Sequence, residues 1–212
     1  MTLPSQPEAP SLAAATGMFI EVLVIGIGSL VALCGMCAAI VGHDATVKVA
    51  PIVGSNPAAA AGIAFAYALG ILIDRCADLL LKFKRRNLRA RYFSSNSSYA
   101  AARRSINKFP DLVARADYAR SRMRICRGWF LNGILLLVAA NLIAIRFPVH
   151  DRPVLIVSAT VLGLVISAGF YAAWSSITLT GYKKLHQQAQ VAETPVPSQQ
   201  GETSEGVGAA IS

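Results

Sequence analysis

Charge is scarce in this chain. Of its 212 residues only 15% are Asp, Glu, Lys or Arg, against about 25% in soluble globular domains, which argues against a fully solvated globule. Histidine is scarcer still: His43, His150 and His186 are scattered among loops. No Ser-His-Asp arrangement, metal-ligand cluster or phosphate-cradling loop can be assembled, so neither an enzyme nor a cofactor is expected. Gly26 and Gly28 make no nucleotide signature, because no strand, third glycine or helix start follows them. Nothing positively charged precedes the first apolar run, so that run does not read as a cleaved export signal. Leu33 is too large for the position before a lipidated cysteine, which sets Val31-Ala32-Leu33-Cys34 apart from a lipoprotein cleavage site.

What is abundant is apolar: 54% of the residues are hydrophobic. They collect in four runs, Met18 to Val41, Ala58 to Leu81, Gly128 to Phe147 and Val154 to Tyr182. Each meets the roughly 20 residues that a helix needs to cross a hydrocarbon layer about 30 Å thick. Segments such as Ile134 to Ala140 and Val161 to Ile166 are apolar on every face, without the polar stripe of a soluble helix. The expected fold is all-α: an integral membrane four-helix bundle with spans at 18–41, 58–81, 128–147 and 154–182. Residues 1–17 and 183–212 are expected to be flexible tails, the second rich in Gln, Pro, Ser, Thr, Gly and Glu and without apolar periodicity.

Basic residues decide the orientation. Fourteen of the 20 Lys and Arg fall between Lys82 and Arg127, opposed only by Asp111 and Asp117, a net charge of +12. Lys and Arg flanking spans are retained in the cytosol, so 82–127 is expected inside with both termini, and loops 42–57 and 148–153 outside. Trp129, Trp174 and Tyr182 would then lie near the inner headgroups. Usage of Ala, Gly and Arg suggests a bacterium, hence its inner (plasma) membrane.

The basic region reads as helix, break, helix, extending the second and third spans into the cytosol. Lys82 to Phe93 has no breaker. Ser94-Ser95-Asn96-Ser97-Ser98 stops it, Ser98 can cap a short helix from Tyr99 to Lys108, and Pro110 ends or kinks that helix. Leu112, Ala116, Ala119, Met123 and Cys126 then recur at helical spacing into span three. The cytosolic basic surface is assigned to Lys84, Arg85, Arg86, Arg89, Arg91, Arg103 and Arg104. Three partners suit it: anionic lipid headgroups of the bilayer, an acidic partner protein, and nucleic acid, which is the weakest because no recognition module is legible.

Within the spans, ionisable groups are expensive and therefore candidates. Glu21, Asp74, Arg75 and Asp78 form the expected intramembrane charge cluster near the inner boundary, with Arg75 pairing Asp78 along the helix or Glu21 across helices. Ala58, Gly62, Ala66 and Gly70 recur every four residues and let another helix come close. Span two is accordingly expected to be the central packing element, against another span or a second copy in a homo-oligomer.

Cys34-Gly35-Met36-Cys37 is a C-x-x-C near the outer end of span one, a spacing at which thiols can exchange a disulfide. With four spans it resembles the quinone-linked membrane oxidases of the bacterial disulfide-forming system. The resemblance covers those four residues and the span count, and implies a redox pair at Cys34 and Cys37. It departs from that family in the second pair, since Cys76 and Cys126 fall at the cytosolic ends of their spans. The leading expectation is a non-enzymatic membrane component that self-associates or binds a partner through its basic hairpin. A small channel or pore and a thiol-disulfide redox protein are the alternatives.

Overall fold

A computed structural model describes residues 12–193 apart from Lys108 and Val149. Of the expected tails, segments 1–11 and 194–212 lie outside the described residues, whereas residues 12–17 already belong to the first helix. Among the described residues there are seven helices and no strand: α1 (Leu12–Val41), α2 (His43–Val53), α3 (Asn56–Leu80), α4 (Lys82–Ala90), α5 (Asn96–Ile106), α6 (Pro110–Arg146) and α7 (Arg152–Glu193). Four of them, α1, α3, α6 and α7, are long and apolar enough to cross a bilayer.

Several boundaries differ from those read in the sequence. The loop expected at 42–57 holds α2, entered through Gly42 at a φ of 90°, a left-handed value that disfavours any side chain. The helix expected from Tyr99 starts at Asn96, because Ser95 rather than Ser98 is its N-cap. Ser95 Oγ accepts from Ser98 N–H at 3.1 Å while Ser98 Oγ accepts from Ser95 N–H at 3.3 Å, a reciprocal cap that satisfies two otherwise orphaned donors. Pro110 opens α6 instead of ending a helix, since a first-turn proline has no intrahelical N–H to lose.

The largest difference concerns α7. Residues 183–193, expected to be part of a tail, continue that helix. Tyr182, Leu185, His186 and Ala189 fall on one face at spacings of three and four, and that face is covered: Phe93, Ala102 and Ala189 form a buried cluster with Tyr92, Tyr99, Tyr182 and Leu185 packed around it. Phe93 meets Tyr99, Tyr182 and His186 edge-on, at centroid distances of 5.3, 6.5 and 5.6 Å. So α4 and α5 dock on the end of α7, while the stretch expected to extend span three, residues 110–127, is the first part of α6.

Packing is not centred on span two. The central element is α6, which packs on α7, α1 and α3; α3 packs on α1 and α6. Along α7 the close approach to α6 runs through small residues: a Cβ on Gly163 would lie 2.6 Å from Leu137 Cβ, and one on Gly133 would overlap Ser167 Oγ. Trp174, expected among the headgroups, is 3% exposed and wedged against Leu81 and Leu88, which closes α7 over the α3–α4 junction.

Contact between α1 and α3 is closest at Gly26 and Gly70. A Cβ on Gly26 would overlap the Ala66 carbonyl oxygen, and one on Gly70 the Val22 carbonyl oxygen, so each helix presses backbone against backbone. Ala66 and Gly70 of the four-residue stripe are buried here, whereas Gly62 has only Leu30 Cδ2 at 3.9 Å from a built Cβ and Ala58 is half-buried. Gly26→Leu should lower detergent-solubilised stability by about 1–3 kcal/mol, the usual range for overpacking, read as a falling Tm. Gly62→Ala should leave Tm unchanged or raise it, since a helical Gly costs roughly 0.5–1 kcal/mol relative to Ala.

Candidate functional site

One end of the molecule gathers nearly all the charge. The crossing at Gly26 and Gly70 brings Glu21, five residues before Gly26, to the level of Asp74, four residues after Gly70. Asp78 follows one turn later and stays within about 40° of Asp74 around the helix axis, because four residues overshoot one turn by that amount. Against these carboxylates α6 places Ser121, Arg124 and Arg127, spaced three apart on one face.

Arg127 is the centre of the network. Its Nε and Nη2 donate to the two oxygens of Asp74, each at 2.9 Å, and its Nη1 donates to Asp78. This fork is the geometry in which a guanidinium matches a carboxylate best. Arg85 of α4 donates to the same Asp78 oxygen from the other side. Arg124 lies 3.5 Å from Glu21 and 3.8 Å from Asp74, and Ser121 donates its hydroxyl to Glu21. Three carboxylates thus face three guanidinium groups, so the cluster is neutral as a whole.

Arg75 is not part of it. The residue is exposed and makes no ion pair among the described residues, although the sequence suggested Asp78 or Glu21 as its partner. It lies one position, about 100°, round the helix from Asp74, which turns it away from α6, and both flanking carboxylates are already held. The cations that replace it, Arg124 and Arg127, were visible in the sequence only as two of many basic residues. Their three-residue spacing, complementary to the four-residue spacing of Asp74 and Asp78, was the available signal.

Deeper along the helices Asn132 and Asn141 find partners, whereas the buried Ser167 Oγ beside Gly133 has none among the described residues. Asn132 is fully buried; its Nδ2 donates to the Ile25 carbonyl and its Oδ1 accepts from Ser29, both at 2.7 Å. Asn141 and Thr160 bond α6 to α7 through a donor and acceptor exchange at 3.1 and 3.2 Å. Such bonds join one long helix to the next. Cys34 and Cys37 are free and exposed, while Cys76 and Cys126 lie toward the other end of their helices. No second thiol pair stands near the C-x-x-C. Among the described residues no group of three or more His, Cys, Asp or Glu could hold a metal ion.

Beyond the neutral cluster the charge is unbalanced. Lys82, Arg85, Arg86 and Arg89 share one face of α4 and, with Asn96 and Tyr182, line a cleft of about 310 Å³. Lys84, Arg91, Arg103 and Arg104 are exposed outside it. Arg89 is held in place, donating to Asn96 Oδ1 at 2.6 Å and lying 5.3 Å from the Tyr99 ring centroid.

Replacing Arg127 by Gln should destabilise the protein by roughly 3 kcal/mol, because it takes the bidentate partner from the buried Asp74 and leaves Asp78 to Arg85 alone. Adding Asp74→Asn to it should cost less than the two single losses together, by about 0.5–3 kcal/mol. Thermal unfolding of the four proteins in detergent measures the cycle, and strict additivity would show that the pair carries no coupling. No protein-family model, no curated protein and no solved structure matches this chain.

Proposed function

We propose that this chain is a multi-pass protein of a bacterial inner membrane, crossing it four times with both termini and the basic end in the cytosol. It acts without catalysis, associating with copies of itself or with an acidic partner through a basic helical platform. One observation carries this reading. Lys84, Arg86, Arg91, Arg103 and Arg104 are exposed and free of ion pairs among the described residues, on helices whose inner sides are fixed to α7 by Phe93, Ala102 and Ala189. Unpaired cations gathered on docked helices favour an anionic contact, since their mutual repulsion is relieved by an opposing charge and the backbones that carry them need no further ordering.

The four apolar helices support the membrane assignment. In the span windows of α3 and α7 only 11% and 6% of residues are buried inside the protein, leaving apolar faces that suit lipid or another copy. A channel has less support, because Glu21, Asp74 and Asp78 are each held by a guanidinium and offer a permeant ion no open ligand.

Two measurements test the proposal. In a variant lacking the native cysteines, Arg103→Cys should label only after the cell membrane is opened, whereas Val47→Cys should label in intact cells. The reverse pattern would refute the orientation. Arg103→Glu with Arg104→Glu should leave the four spans inserted but reduce the yield of chemically crosslinked assemblies at matched expression. Equal yields would remove the platform from the proposal.

A further inference from the structure

We infer that the α4 cleft is a binding site for the phosphate of an anionic phospholipid headgroup, a step that rests on the membrane orientation proposed above. Lys82, Arg85, Arg86 and Arg89 follow one another at three- and four-residue spacing, and like charges at those positions repel along a helix. Only Arg85 is compensated, by Asp78. Lys82, Arg86 and Arg89 therefore surround the cleft with no carboxylate among its lining residues, an arrangement that a bound anion relieves.

The neutral lining residues complete a phosphate site. Asn96 spends its Oδ1 on Arg89, which leaves its Nδ2 as a donor, and Tyr182 adds a hydroxyl. A guanidinium presents a planar fork to phosphate, and a lysine adds a point charge. At about 310 Å³ the cleft lies at the small end of ligand sites, about 300–1,000 Å³, a size suited to a headgroup.

The surroundings favour lipid over a free anion. Lys82 stands two residues beyond Leu80, the end of apolar α3, at the level where hydrocarbon gives way to headgroups. Leu79, Leu80 and Phe83 beside it are 67%, 62% and 73% exposed. A phospholipid held by α4 through its phosphate would lay its acyl chains next to those side chains, an apolar contact that inorganic phosphate cannot make. This distinguishes the cleft from a diffuse basic surface, which attracts anionic lipid without seating it.

The full chain reconstituted in nanodiscs of phosphatidylcholine with a minority of phosphatidylglycerol, then released for native mass spectrometry, tests the site by the ratio of the two lipids retained. The intact protein should retain phosphatidylglycerol preferentially. Lys82→Gln with Arg86→Gln should lower that ratio roughly tenfold, two cations near a lipid surface each contributing severalfold. Lys84→Gln with Arg91→Gln, which removes the same charge outside the cleft, should lower it far less. Equal losses in the two variants, or no preference in the intact protein, would overturn the cleft. Displacement of the lipid by inorganic phosphate at matched concentration would overturn the lipid as its source. Failure of the intact chain to enter the nanodisc would instead overturn the four-span reading on which the site rests. Circular dichroism of both variants checks that their helices are intact.

Discussion

Arg127 holds the molecule together in a literal sense. Asp74 and Asp78 sit on a helix that carries no other charge from Ala58 onward but the exposed Arg75, and an unpaired carboxylate at its contact with α6 would be driven out or neutralised. A fork from Arg127 meets Asp74, the remaining donor meets Asp78, and so the relative height of α3 and α6 is fixed. Arg85 joins the same oxygen from α4, which anchors the first turn after the Leu81 junction and sets the direction in which the chain leaves the apolar layer. Glu21 enters through Arg124 and Ser121. Four helices are therefore registered by one network, and the Gly26–Gly70 crossing gives α1 the close approach it needs to reach that network.

Much of the architecture was legible beforehand because span length and hydrophobicity are local properties. All four long helices fall where the apolar runs lie, and the gathering of cations between Lys82 and Arg127 is plain from counting. Partners were less legible. Choosing Arg75 for Asp78 relied on spacing along one helix, yet a carboxylate at a helix contact pairs across it when a guanidinium stands opposite, and only the tertiary arrangement supplies Arg127. Centrality was misjudged for a related reason. A stripe of small residues shows that something comes close, and here it is α1 that meets Ala66 and Gly70, while α6 makes the wider set of contacts through Asn132, Gly133 and Asn141.

The end of α7 shows a different failure. Gln-rich composition suggested a tail after Tyr182, and composition averages over faces. A helix can be polar on most of its surface and still carry a single apolar row, here Tyr182, Leu185 and Ala189, that pins α5 through Phe93 and Ala102. The break expected at Ser94 to Ser98 lies instead at residues 91–95, with Asn96, Ser97 and Ser98 already in α5, because the reciprocal bond between Ser95 and Ser98 satisfies two donors where a lone Ser98 cap would satisfy one.

The contrast between the two charged regions follows from where water can reach. Inside the helix contact every carboxylate is matched by a guanidinium, since nothing else there can compensate a charge. One turn beyond Leu81 the balance ends abruptly: α4 carries cations on its cleft face and on its outer face, opposed only by Asp78. Charges of one sign can stay unpaired in that place only if solvent, lipid or a partner compensates them. The paired region is thus fitted to hold helices together, and the unpaired region, fixed to it through Arg85 and Asp78, keeps its charge exposed.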